Sequence, residues 1–115
     1  MKEKRLLTSL REKKRYVAFE IKSEENLSLG KIKDSIVDSF RNLFGEMELA
    51  KAGLNFVEFK DNKGIIRVNN KDVKNIKASF VMLRKINKQD AIARSLGVSG
   101  MLNKARSKFL SRGGI

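Results

Sequence analysis

Residues 15–22, Arg-Tyr-Val-Ala-Phe-Glu-Ile-Lys, alternate strictly, so Val17, Phe19 and Ile21 share one face of an extended chain and Tyr16, Ala18 and Glu20 the other. This predicts a first strand. A polar connection over 23–28 ends in Ser28, a residue suited to cap a helix. Leu29, Ile32, Ile36, Phe40 and Leu43 then recur at intervals of three and four, as on one helical face, and Gly45 is placed to end it. Residues 46–53 read as a second short piece compatible with helix. Two further strand-like runs, 54–60 and 65–69, flank Asp61-Asn62-Lys63-Gly64, whose turn residues mark a hairpin. Val73, Ile76, Phe80 and Leu83 restore helical spacing and predict a helix from 71 to about Asn87. The stretch 91–100, Ala-Ile-Ala-Arg-Ser-Leu-Gly-Val-Ser-Gly, reads as a last strand delivered into a helix start, with Ser99 as its N-cap and Gly100 at the turn. The final helix would carry an apolar stripe of Leu102, Ala105 and Phe109.

Strand, helix, strand, strand, helix, strand, helix is the split βαβ pattern with one helix added. Right-handed crossovers then predict an α+β fold: a four-stranded antiparallel sheet in a ferredoxin-like, RNA-recognition-motif-like βαββαβ sandwich, with an extra C-terminal helix. Both crossover helices would lie on one face. The division expected is a basic N-terminal arm over 1–15 and a single domain over 16–115 that includes the basic C-terminal helix. Because the last strand would lie antiparallel beside the first, Arg15 should fall near Val98. Asn69, Asn70 and Lys71, at the end of the third strand, should reach the same edge.

Charge gives that edge its meaning. The chain has 115 residues with Lys+Arg 26 against Asp+Glu 13, a net +13. Residues 1–15 contribute +5 and residues 91–115 another +5, the latter without a single acid. Such a balance favours nucleic acid over an anionic membrane surface or an acidic protein. Cys 0 and His 0 exclude disulfides, a thiolate nucleophile, a Cys/His zinc site and an imidazole base. Asp34 and Asp38, one turn apart, read as a solvated acidic face, since nothing else in that helix offers metal ligands. No apolar run approaches the roughly 20 residues needed to cross a bilayer, and no signal-peptide core begins the chain, so the expected setting is cytoplasmic.

The third strand tests the RNA-recognition motif directly. Lys63-Gly64-Ile65-Ile66-Arg67-Val68 has the opening basic-Gly pair and none of the stacking aromatics, which argues against reading bases on the sheet. The open face would instead expose a strip of Tyr16, Ala18, Phe56 and Ile65, covered either by the C-terminal helix or by another protein, and these four are the candidate partner interface. RNA would be held by its backbone, through cations at the shared edge and the Ser99-Gly100 amides. The same C-terminal features also describe an ordinary capped helix with a solvated basic face. A structural ribosomal or other folded-RNA-binding protein would use this edge equally well. An acylphosphatase-like enzyme is disfavoured by the acidic Ser23-Glu24-Glu25-Asn26 where a phosphate loop would sit. A membrane-surface role is disfavoured by the narrow apolar stripe and the absence of Trp.

Three stretches, residues 9–20 (Ser-Leu-Arg-Glu-Lys-Lys-Arg-Tyr-Val-Ala-Phe-Glu), 43–46 (Leu-Phe-Gly-Glu) and 96–106 (Leu-Gly-Val-Ser-Gly-Met-Leu-Asn-Lys-Ala-Arg), resemble the archaeal ribonuclease P protein component 2 family. Gly64-Ile65-Ile66-Arg67-Val68 is similar to its hairpin strand, and Met101 departs from the threonine expected after the Ser-Gly pair. The resemblance implies a non-catalytic subunit of ribonuclease P, in which a catalytic RNA with Mg²⁺ removes 5′ leaders from precursor tRNA. It implies that the protein itself binds no cofactor or metal, and that it partners the RNA and the TIM-barrel-like protein component 3, with two copies of each. Carried over by position, RNA contact falls on Arg11, Lys13, Lys14, Arg15, Ser99, Gly100, Lys104, Arg106 and Lys108.

Overall fold

The computed structural model describes residues 13–107; the expectations for Arg11, Lys108, Phe109 and the rest of the arm lie outside them. Strand β1, Lys14–Lys22, buries Val17, Phe19 and Ile21 as its alternation requires. Helix α1, Leu29–Ala52, starts at Ser28, whose side chain accepts the Lys31 N–H at 3.4 Å. Its buried positions Ile32, Ile36 and Phe40 follow the expected stripe. Gly45 interrupts it at φ 91° and ψ 169°, a region open in practice only to glycine, and the second helical piece closes on left-handed Gly53.

Strands β2, Asn55–Lys60, and β3, Lys63–Asn69, are joined by Asp61 and Asn62 alone. Both have positive φ, 52° and 62°, as a two-residue type I′ hairpin demands. Asn62 is 7% exposed, and its Oδ1 accepts the Leu27 N–H at 3.0 Å, tying the hairpin to the connection before α1. At Gly64 a Cβ would sit 2.6 Å from the Glu58 carbonyl and 2.8 Å from the Phe19 ring, so only glycine lets the strands and Phe19 close together.

A 3₁₀ turn, Asn70–Asp72, leads into helix α2, Val73–Met82. This helix stops five residues short of the expected end. Leu83 turns extended at φ −78° and ψ 123°, and Lys85–Ile86 (β4) pairs with Gln89–Asp90 (β5) around Asn87 and Lys88, both at positive φ. Leu83 and Ile86 fall at helical spacing from Phe80, yet they reach the core from the extended residue that ends α2 and from the small hairpin after it. Strand β6, Ile92–Ser99, and the short helix α3, Leu102–Ala105, follow.

The main sheet has the order β2-β3-β1-β6, with every neighbouring pair antiparallel, which is the ferredoxin-like arrangement expected. Phe19 centres the core, its ring 6.2 Å from Phe56, 6.2 Å from Phe59 and 5.7 Å from Phe80. Two bulges re-phase the edge strands. Between Phe56 and Glu58 the extra residue Val57 puts both Phe56 and Phe59 among the core aromatics, so Phe56 is not on the open face where strict alternation put it. Between Ser95 and Gly97 the extra Leu96 lets Val98 join the main core while Leu96 packs on the opposite face.

Candidate nucleic-acid interface

The edge where β1 begins and β6 ends gathers cations from distant parts of the chain. Lys14 pairs with Asn69 across the β1–β3 ladder, and the Asn70 N–H donates to the Lys13 carbonyl at 2.8 Å. Asn69, 6% exposed, is the joint: its Oδ1 accepts from Lys14 Nζ and its Nδ2 donates to the Lys51 carbonyl at 2.5 Å. One amide thus ties the first strand to the last turn of α1. A Cβ placed on Gly53 would lie 3.6 Å from Lys14 Nζ, so this αL residue is also where the helix end meets the lysine. Lys51 was missed by the sequence reading, although a lysine in the last turn before a closing glycine is the signal for a cationic helix C-terminus.

On the other side of β1, Tyr16 pairs with Ser99 and Val17 with Val98. Arg15 therefore falls against Gly100, two residues beyond the expected Val98: a Cβ on Gly100 would come within 3.3 Å of Arg15 Nη1, which itself donates to the Lys14 carbonyl at 3.2 Å. Ser99 does not cap the helix. It ends β6, and its Oγ accepts the Met101 N–H at 3.1 Å, while Met101 takes the N-cap position without a side-chain bond. The cause is length: the chain needs Gly100 and Met101 to turn off the sheet before Ala105 can donate back to the Met101 carbonyl at 3.0 Å.

The open face of the sheet is covered at its centre. Ala18, Ile65 and Ala105 have no exposed surface and pack with Tyr16, Leu96 and Leu102. Of the four residues considered for a partner interface, Ala18 and Ile65 are sealed beneath α3, Phe56 lies in the core, and Tyr16 alone keeps partial exposure on this face. Ion pairs flank the cover. Arg94 Nη2 meets Glu20 Oε1 at 2.8 Å, and Arg106 pairs with Glu58 while also donating to Asn103 Oδ1 at 3.1 Å. Arg106 thus points across the sheet toward β2, away from Arg15. Lys104 is exposed on α3.

Acidic groups modulate the edge. Asp72 is fully buried and accepts from Asn75 Nδ2 at 2.9 Å. Its hydrogen bond and negative charge, with burial adding, raise the neighbouring Glu48 carboxyl above the ordinary glutamate range, and Lys51 and Lys71 pull the other way. Asp38 is drawn to Arg41 at 2.6 Å, and Arg41 also holds Glu46 at 2.7 Å across the Gly45 break. No group of three or more metal-ligating residues occurs among the described residues, and no helix there is long and apolar enough to cross a membrane.

The model of the Rpp14/Pop5 family matches residues 15–110 of this chain. Ribonuclease P protein component 2 of Methanosarcina mazei is 40% identical over 112 residues, covering 97% of each chain. The protein of the same name from Thermococcus gammatolerans is 36% identical over 115 residues, 98% of this chain and 96% of that one. The Methanocaldococcus jannaschii protein is 36% identical over 107 residues, 93% of this chain and 80% of its own length. Among solved structures, a chain of the cryo-EM structure of yeast ribonuclease MRP superposes with a TM-score of 0.66 over 90% of this chain and 89% of that chain, at 13% identity.

Proposed function

The chain belongs to the Rpp14/Pop5 family, and from that premise we propose that it is a protein subunit of ribonuclease P that grips the catalytic RNA by its backbone. The observation that carries this reading is the edge where Asn69 joins Lys14 to the end of α1 while Arg15 lies against Gly100. Lys13, Lys14 and Arg15 from the start of β1 and Lys51 from the end of α1 converge there from two segments, on a rigid seam of paired backbone. Cations fixed in this way neutralise phosphates and release counterions without reading sequence. The largely sealed sheet face supports the same mode, because among the described residues it offers bases only the half-buried ring of Tyr16 and no row of aromatics on which to stack.

In this reading the protein supplies no catalytic group. The RNA component cleaves 5′ leaders from precursor tRNA with its own Mg²⁺, and protein cations lower the repulsion that the folded RNA must overcome. Component 3, with its TIM-barrel-like fold, is the protein partner, in an assembly with two copies of each. The test is cleavage of a precursor tRNA by ribonuclease P RNA at limiting Mg²⁺, with component 3 present and this chain added or omitted. Addition is expected to raise the rate, and the triple substitution Lys13→Gln, Lys14→Gln, Arg15→Gln to remove most of the gain. No gain from folded, RNA-binding protein would move the function to another RNA particle.

A further inference from the structure

A second basic surface lies on the helical layer. Helix α2 turns Ile76, Ser79 and Phe80 inward, which leaves Lys74 and Lys77 exposed on its outer face. The hairpin that follows adds exposed Arg84, Lys85 and Lys88, and no acidic residue occurs between Lys74 and Lys88. On this surface Lys85 meets Asp90 at 3.9 Å, with both side chains at least two-thirds exposed. Among the described residues, Lys74, Lys77, Arg84 and Lys88 have no ion pair or side-chain hydrogen bond. Elsewhere several arginines have acidic partners: Arg41 has Asp38 and Glu46, Arg94 has Glu20, and Arg106 has Glu58. The core is indifferent to the sign of these outward side chains, so a surface on which cations outnumber the flanking Asp38 and Asp90, at a cost in self-repulsion, points to an anionic partner.

The three-residue step from Lys74 to Lys77 advances about 4.5 Å along the helix axis. A nucleic-acid strand presents its charges on the same scale, roughly one per 3.4 Å of duplex axis. The ten residues of α2 are about 15 Å long, and Arg84, Lys85 and Lys88 continue the cationic surface beyond its C-terminal end. Lysines are mobile point charges suited to a phosphate row and poorly suited to reading base edges. The exposed apolar side chains beside them among the described residues, Val81, Met82 and Leu43, are few beside the cations and do not form the broad apolar centre of a protein interface.

We propose that α2 and the β4–β5 hairpin form a second RNA-binding surface, separate from the sheet edge, that holds the sugar-phosphate backbone of an RNA helix. The inference rests on the reading of this chain as an RNA-binding subunit and adds a second point of grip. The molecule then bridges two RNA segments, one at the sheet edge and one along the helical layer, and holds them at a fixed separation.

The experiment is the salt dependence of binding to ribonuclease P RNA by the full chain. Four proteins are compared: parent, stripe variant (Lys74→Gln, Lys77→Gln, Lys88→Gln), edge variant (Lys13→Gln, Lys14→Gln, Arg15→Gln), and a control losing the same charge elsewhere (Lys31→Gln, Lys33→Gln, Lys60→Gln). All three stripe positions are exposed, and thermal unfolding checks that each variant is folded. The stripe variant is expected to lower the steepness of log K against log salt by about 2 to 3, with the control unchanged. An unchanged stripe slope beside a reduced edge slope overturns the second surface and leaves the proposed function standing. Unchanged slopes in both remove the RNA-binding reading itself. A control that falls as far as the stripe variant reduces the effect to net charge and also overturns the proposal. An unchanged slope with weakened association to component 3 would reassign the stripe to a protein partner.

Discussion

Where the end of α1 meets the start of α2, one carboxyl pair couples stability to protons. The carboxyl of Glu48 is raised by the hydrogen bond and charge of buried Asp72. The folded chain therefore holds this proton more tightly than the unfolded chain does. The stability it confers is complete below the ordinary glutamate range and is lost as pH rises through the raised value. Glu48→Gln keeps a donor facing Asp72 without the charge. Its thermal midpoint is expected to exceed the parent's at neutral pH and to converge on it below the glutamate range. Calorimetry across pH checks this, and a difference that stays constant with pH would remove the pair as its cause. None of this was visible in sequence, because Glu48 and Asp72 sit 24 positions apart and meet only once α1 has passed its break at Gly45.

At the scale of elements, what could be read was what repeats. The alternation of Val17, Phe19 and Ile21 and the stripe of Ile32, Ile36 and Phe40 each stand for a buried face, and each formed the element expected. Single insertions were not legible. Val57 and Leu96 each shift a strand by one residue, and a pattern of period two carries no mark of the shift except that apolar residues appear on both faces. Helical spacing likewise ran on through Leu83 and Ile86, because a hairpin can deliver side chains to a core at the same intervals as a helix. The candidate edge was found because charge at the two ends of the chain was placed by topology, whereas Ser99 was misassigned because capping depends on two residues of turn that no pattern specifies. Glycines within α1 separate propensity from conformation. Gly30 has clear space and ordinary φ, so Gly30→Ala is expected to stabilise by up to about 1 kcal/mol. Gly45→Ala, at φ 91°, is expected to cost about 1–3 kcal/mol, although its Cβ would also meet open space. Denaturant midpoints of the two variants read the contrast directly.

For the whole molecule, the sheet order sets a sequence of assembly. The β2–β3 hairpin closes over two residues, whereas β1 must wait for β6, whose pairing joins Tyr16 to Ser99. Loop-closure entropy grows with that separation, so the hairpin is expected to form early and β6 to dock late. Val98→Ala should therefore speed unfolding and leave the folding rate nearly unchanged, while Ile66→Ala should slow folding. Stopped-flow kinetics on both variants distinguish the orders; a slower folding rate for Val98→Ala would reverse the sequence. The Arg15–Gly100 contact belongs to the late step. A chain still emerging from the ribosome, with its hairpin closed and its last strand unmade, already carries the arginine but has no seam to hold it. The seam that fixes Arg15 is therefore complete only after β6 docks, so it is the last part of the fold to be made.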